Sequence, residues 1–185
     1  DVAVIAIAAL DQRQSALRWT LRVDNRSAAW AVHQVVFPQL AVPELAQDAA
    51  VLFPRGPGEV QRGLWRRAFT YRGNYPDGWC AMQFLAAYRG GESPVGVYLG
   101  FHDPWGGTKR IEASSTPTNR VVRLAFEVPA SDFHASGNDF DLNGEAVWQL
   151  LRGDWFDAAT IYRAWARENA RWWPRLAAEG RADTP

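Results

Sequence analysis

The chain has one cysteine, one methionine and three histidines in 185 residues. A single cysteine, Cys80, excludes an intrachain disulfide and leaves the compartment open. It stands at the head of an apolar run and reads as a buried thiol. A nucleophilic cysteine would need a histidine and an orienting partner. His33, His102 and His134 fall in no H-x-x-x-H spacing, and there is no C-x-x-C, so the common zinc patterns are missing. Neither charge is in excess. Twenty basic and twenty acidic residues give zero net charge, which excludes the basic face that nucleic acid demands. Lys109 is the one lysine, and the arginine-for-lysine bias reads as composition, not as phosphate binding. The apolar run 2–10, VAVIAIAAL, is shorter than the roughly 20 residues of a bilayer span and lacks a preceding basic region, so no membrane span or secretory signal is expected. G-x-S-x-G, phosphate-loop and dinucleotide fingerprints are also absent.

What is present is a globular composition, with 48% hydrophobic and 22% charged residues. The length suits one large domain, or one domain with an extension. Ten tryptophans predict a Trp-heavy core. Residues 2–10 read as a strand. Residues 16–25 alternate Leu17, Trp19, Leu21 and Val23 against Arg18, Thr20, Arg22 and Asp24, the period of a half-buried strand. Residues 30–37 run back and end at Pro38. Residues 38–61 read as loop around one short strand at 50–53, and 62–70 as ambiguous. Further strands are expected at 120–128 and 145–151, separated by a polar loop. About nine strands and no helix before the C-terminal part predict a mainly β chain, an antiparallel β-sandwich with one C-terminal α-helix. Periodicity alone does not separate a jelly roll from a supersandwich.

The organising stretch is 74–113. Three apolar runs, at 81–88, 95–101 and 108–113, are joined by turn clusters and predict a three-stranded meander. Two loops there carry a candidate site: Asn74, Asp77 and Trp79 in the first, His102, Asp103 and Trp105 in the second. A Trp face stacks on the C–H face of a pyranose while carboxylates and amides bind hydroxyls, so the mixture predicts carbohydrate binding. Glycoside hydrolysis needs two carboxyls about 5 to 10 Å apart. Asp77 and Asp103 form the one pair on offer. Asn138, Asp139, Asp141 and Asn143 offer alternating oxygens for a weak calcium site, without the glycine and closing glutamate of an EF-hand.

Residues 154–173 change to helical period, with Ala158, Ile161, Trp165, Trp172 and Leu176 on one stripe. Asp154 is the expected N-cap, and Pro174 the expected stop near Trp173. Residues 177–185 read as a polar linker.

YPDGWCAMQFLAAY followed by VGVYLGFHDPWGGTK, and GDWFDAA followed by Tyr162, Trp165 and the Trp172–Trp173–Pro174 run, resemble an uncharacterised family of large bacterial proteins related to glycoside hydrolases. In that family a galactose-mutarotase-like β-sandwich precedes a catalytic (β/α)8 barrel. The resemblance implies a supersandwich over 1–152, a linker helix over 153–176 packed on it, and an interdomain tail over 177–185. It also implies that the chain is the front part of a longer protein whose catalytic carboxylates lie in a C-terminal barrel. No catalytic residue is then expected here. Two other readings stand beside it: a stand-alone carbohydrate-binding module using Trp79 and Trp105, and an aldose epimerase-like enzyme pairing His102 with Glu112 or Glu127.

Overall fold

A computed structural model describes residues 1–174 of the chain. Twelve strands precede one helix among them: β1 (Val2–Asp11), β2 (Ala16–Asn25), β3 (Gln34–Pro43), β4 (Ala50–Phe53), β5 (Glu59–Arg62), β6 (Phe69–Tyr75), β7 (Phe84–Arg89), β8 (Val95–His102), β9 (Lys109–Thr116), β10 (Val121–Pro129), β11 (Phe140–Asp141), β12 (Glu145–Arg152) and α1 (Trp155–Asn169). They form an antiparallel β-sandwich. The large sheet runs β1-β2-β12-β8-β7-β4-β5 with β11 beside β2, and the small sheet runs β3-β10-β9-β6.

Period-two alternation in the central strands feeds two separate cores. Val51, Phe53, Leu85, Ala87, Leu99 and Phe101 point from the large sheet to the small one, where they meet Ile111, Ala113, Val122, Leu124 and Phe126. Their neighbours Ala50, Leu52, Phe84, Ala86, Tyr88 and Tyr98 point the other way and pack under Ala158 and Tyr162 of α1. β7 is therefore buried on both faces, which explains its unbroken apolar reading. β1 is the opposite case. It overhangs the sandwich, pairs only with β2 and is exposed nearly throughout.

Several expectations are corrected. The runs at 81–88 and 95–101 do pair, as β7 and β8, but the third does not complete a meander. β9 crosses to the small sheet, between β10 and β6. A period of two says which residues share a face, not which sheet a strand joins. Pro38 does not end β3, because β3 is the edge of the small sheet and a register shift opposite Phe126 absorbs the missing N–H. Residues 59–62, read as loop, pair with β4. The ambiguous 62–70 region is a single 3-10 turn, Leu64–Arg66, followed by the start of β6. The Trp-heavy core forms only in part, with Trp148 and Trp165 half-buried against the two cores. Trp65 is buried, whereas Trp30, Trp79, Trp105, Trp155 and Trp172 are exposed.

Asp154 caps α1 as expected. Its side chain accepts from Phe156 N–H, and Asp157 reaches back to the Asp154 N–H, a capping box. The buried stripe is Ala158, Tyr162 and Ala166, at four-residue intervals, with two small alanines flanking a tyrosine ring that packs on Phe84. The helix stops at Asn169, before Trp172 and well before Pro174. There the Arg171 N–H binds the Pro104 carbonyl at 2.9 Å, which draws the chain off the helix axis. Leu176 and the linker expected over 177–185 lie outside the described residues.

Five aromatic side chains close a ring between α1 and the large sheet. Phe84 stacks on Tyr98 (5.4 Å), Tyr98 meets His102 (5.9 Å), His102 stacks on Trp165 (4.6 Å), Trp165 meets Tyr162 (5.6 Å) and Tyr162 returns to Phe84 (5.1 Å). Tyr98, Gly100 and His102 share one face of β8, and the Tyr98 ring lies flat over Gly100. A β-carbon on Gly100 would come within 2.5 Å of the tyrosine hydroxyl. Gly100→Ala is therefore expected to destabilise the fold by about 1 to 3 kcal/mol through overpacking, measured as a lower urea midpoint at unchanged slope. An unchanged midpoint would mean that Tyr98 does not lie there.

Candidate functional site at the loop end of the sandwich

β6 ends at Tyr75, directly across the ladder from Lys109, where β9 begins. The loop that leaves β6 and the loop that enters β9 therefore emerge at the same end of the sandwich. Each is built on the same local device. In Asp77-Gly78-Trp79 the aspartate Oδ1 accepts the Trp79 N–H at 2.7 Å and the Cys80 N–H at 2.9 Å. In Asp103-Pro104-Trp105 the aspartate Oδ1 accepts the Trp105 N–H at 2.9 Å, and Oδ2 accepts the Gly107 N–H at 2.7 Å. An aspartate that binds the N–H two residues on folds its own turn. In both loops the residue so presented is an exposed tryptophan, Trp79 at 70% and Trp105 at 62% of full exposure.

The second loop is fixed from beneath by Lys109. Its ammonium donates to Asp103 Oδ2 at 3.1 Å, to Gln83 Oε1 at 2.7 Å and to the Gly107 carbonyl. It also lies over the rings of Tyr75 and Phe101. Both charges are almost wholly buried. Burial holds the Lys109 pKa below its usual range, and the adjacent Asp103 carboxylate opposes that shift. From above, the Arg171 guanidinium sits 3.5 Å over the Trp105 ring, and Trp172 packs against Gly106, which has φ +70° and no room for a side chain.

The six expected site residues do not form one cluster. Asp77 and Trp79 are exposed in the first loop, and Trp105 is exposed in the second. Asp103 is 1% exposed, with its oxygens engaged as above, so it organises the loop and is not free to meet a hydroxyl. Asn74 lies within β6, exposed, opposite Arg110. His102 faces α1. It is buried against Trp165, and its Nε2 lies 2.9 Å from the Tyr98 hydroxyl. Burial, helped by the Arg18 charge, holds its pKa down at about 3. Glu112 is gripped by Arg72 and Arg123 on the outer face of the small sheet, and Glu127 by Arg110. Two sheets separate both glutamates from His102, so the epimerase-like pairing does not form.

Cys80 is buried, and its thiol is pushed up to about 11 by burial, as fits a structural thiol. Two of the four side chains considered for calcium are in use. Asn138 binds the Val32 N–H and carbonyl, and Asp139 accepts the Asn25 N–H. Among the described residues no group of three or more His, Cys, Asp or Glu is placed to hold a metal ion, and no helix is long and apolar enough to cross a membrane. Sequence reasoning missed Lys109, Gln83 and Arg171. The D-x-W tripeptide occurring twice, and the one lysine in an arginine-rich chain, were the signals available.

The architecture is that of an antiparallel β-sandwich with two aromatic loops at one end and a helix over the larger sheet. No family model matches the chain. A protein of Monosiga brevicollis named "Putative glycoside hydrolase 22789" is 30% identical to it over 144 residues. The similarity covers 75% of this chain and 12% of that protein, so the chain corresponds to a small part of its relative. The chain thus stands in a glycoside-hydrolase-like context.

Two outcomes follow from the buried groups. Lys109→Met leaves the Asp103 carboxylate buried without its counter-charge and is expected to cost on the order of 3 to 5 kcal/mol in urea unfolding. Adding Asp103→Asn should recover part of that loss, and a strictly additive double variant would show that the two charges do not interact. His102 titrates near 6.5 when unfolded and at about 3 when folded. The unfolded chain therefore binds the extra proton between those values. This contribution to stability is complete above pH 6.5 and is lost as the pH falls toward 3, at up to about 1.4 kcal/mol per pH unit. His102→Phe keeps a ring on Trp165 and should flatten the stability profile between about pH 7 and 5. An unchanged slope would place the titration elsewhere.

Proposed function

We propose that this chain is a non-catalytic β-sandwich of galactose-mutarotase-like type within a glycoside-hydrolase-like, carbohydrate-active protein. In this reading residues 1–152 form the sandwich, 153–176 the linker helix with its following turn, and 177–185 the connection to a C-terminal catalytic barrel in the same parent chain. The sandwich braces that barrel and lends it sugar-contacting loops. The observation that carries the reading is the pair of Asp-anchored loops, each displaying an exposed tryptophan at the same end of the sandwich. The relationship to one segment of a much longer protein named as a glycoside hydrolase supports it.

The same geometry argues against catalysis by the chain itself. A glycosidase needs one carboxyl held protonated and a second free to attack or to activate water. Asp103 is committed to two backbone N–H groups and a buried ammonium, and Asp77 to the turn that holds Trp79. The stand-alone module remains the second reading, because an exposed Trp pair would equally suit an open sugar-binding face.

A glycan array followed by calorimetry tests the loops. Trp79→Ala and Trp105→Ala are each expected to weaken sugar binding by about 1 kcal/mol or more, roughly fivefold. Binding that survives both substitutions would remove these loops from the site. An aryl-glycoside panel is expected to show no turnover by the 185-residue chain, and turnover abolished by Asp77→Asn would overturn the non-catalytic reading.

A further inference from the structure

A cleft lies between α1 and the outer face of the large sheet. It encloses about 550 Å³, within the range of sites that hold small ligands. Arg18 of β2, His102 of β8, and Glu145 and Gln149 of β12 line the sheet side, while Trp165 and Glu168 line the helix side. His102 and Glu145 are direct cross-strand neighbours. We infer that this cleft binds a neutral polyhydroxylated ligand of one or two pyranose rings. The inference rests on the carbohydrate reading above and adds a site to it.

The charge arrangement selects against anions. The Arg18 guanidinium is already held by Glu145 at 3.0 Å, Asp11 at 3.5 Å and the Gln14 side-chain carbonyl at 2.7 Å. It offers no uncompensated positive charge to a phosphate or carboxylate. Glu168 and Gln149 supply hydrogen-bonding groups, and Ile161, Ala164 and Trp165 supply apolar wall. A mixed lining of this kind matches a sugar, which has hydroxyls at its rim and C–H groups on its faces.

One buried polar atom beside the cleft lacks a partner, as do Trp19 Nε1, Arg110 Nε, Trp148 Nε1 and Tyr162 Oη elsewhere among the described residues. His102 is 5% exposed, and its Nε2 is taken by Tyr98, but its Nδ1 is buried with no hydrogen-bond partner. Buried polar atoms are rarely left so, because an unmet donor or acceptor costs about 1 to 3 kcal/mol. Whether Nδ1 donates or accepts depends on the tautomer. A hydroxyl can meet it in either state, since it both donates and accepts, whereas an ammonium can only donate. The Trp165 ring stacked on His102 brings the same corner against α1, so filling the cleft would also fix the helix.

The test is an NMR titration of the isotope-labelled 185-residue chain with glucose, galactose, maltose and cellobiose. Saturable shifts are expected at Gln149, Thr160, Glu168 and the Trp165 indole. Affinity read from the cleft shifts should fall about tenfold or more in Gln149→Ala and in Glu168→Ala. Both cleft substitutions are at polar positions on its rim, and retained spectral dispersion confirms that each variant folds. Shifts confined to the Trp79 and Trp105 loops would overturn this inference while leaving the loop reading intact. Shifts produced by spermidine and by none of the sugars would reassign the cleft to a cation and overturn it. No perturbation anywhere by the four sugars would remove both the cleft and the loops as sites for them.

Discussion

A single buried ammonium sets the geometry of the loop end. Lys109 sits where the chain changes sheets, between the last residue of β8 and the body of β9, and its three hydrogen bonds reach the segment before β7 and both ends of the loop between β8 and β9. A buried ion pair is weak evidence for net stability, because desolvation of two charges consumes most of their attraction. Its consequence is positional. Gln83 before β7, Asp103 after β8 and the Gly107 carbonyl must all converge on one nitrogen. The two Asp-anchored loops then have a fixed relation to the sandwich. An apolar residue at position 109 could fill the same space without imposing that convergence.

The strands were legible where alternation coincided with one-sided burial, as in Ala16–Asn25 and Val121–Pro129. Legibility failed in three physical situations. Short strands such as Glu59–Arg62 carry too few residues to show a period. Pro38 looked like a terminator because the edge position that tolerates it is a property of the sheet, not of the sequence. The departure of β9 to the small sheet is set by its pairing with β6 and β10, which leaves no local pattern. The helix was read correctly at its cap, since the signal is local, and too long at its end. What stops it is a contact between Arg171 and Pro104, far apart in the chain.

The candidate site divides along the same line. Trp79 and Trp105 were readable as exposed because turn residues flank them. The roles of Asp77 and Asp103 were not, because a carboxylate that binds sugar and one that folds a turn look alike in sequence. His102 was grouped with Asp103 by adjacency, but neighbouring positions at a strand end point to opposite faces. That alternation sends His102 to the helix layer and into a different cleft from the one its sequence neighbours suggested.

β1 joins the rest through its ten-residue register with β2. Neither the small sheet nor α1 reaches far enough to cover its faces, so backbone hydrogen bonds to β2 carry nearly all of its attachment. The molecule is therefore mechanically uneven. A block locked through two cores carries a ribbon that can peel by breaking one ladder and exposing little apolar surface that was not exposed before. Opening of that ribbon is decoupled from global unfolding, in the manner of a separate low-stability cooperative unit. Its amides should exchange with solvent on their own timescale while those of β7, sealed on both faces, report only the opening of the whole.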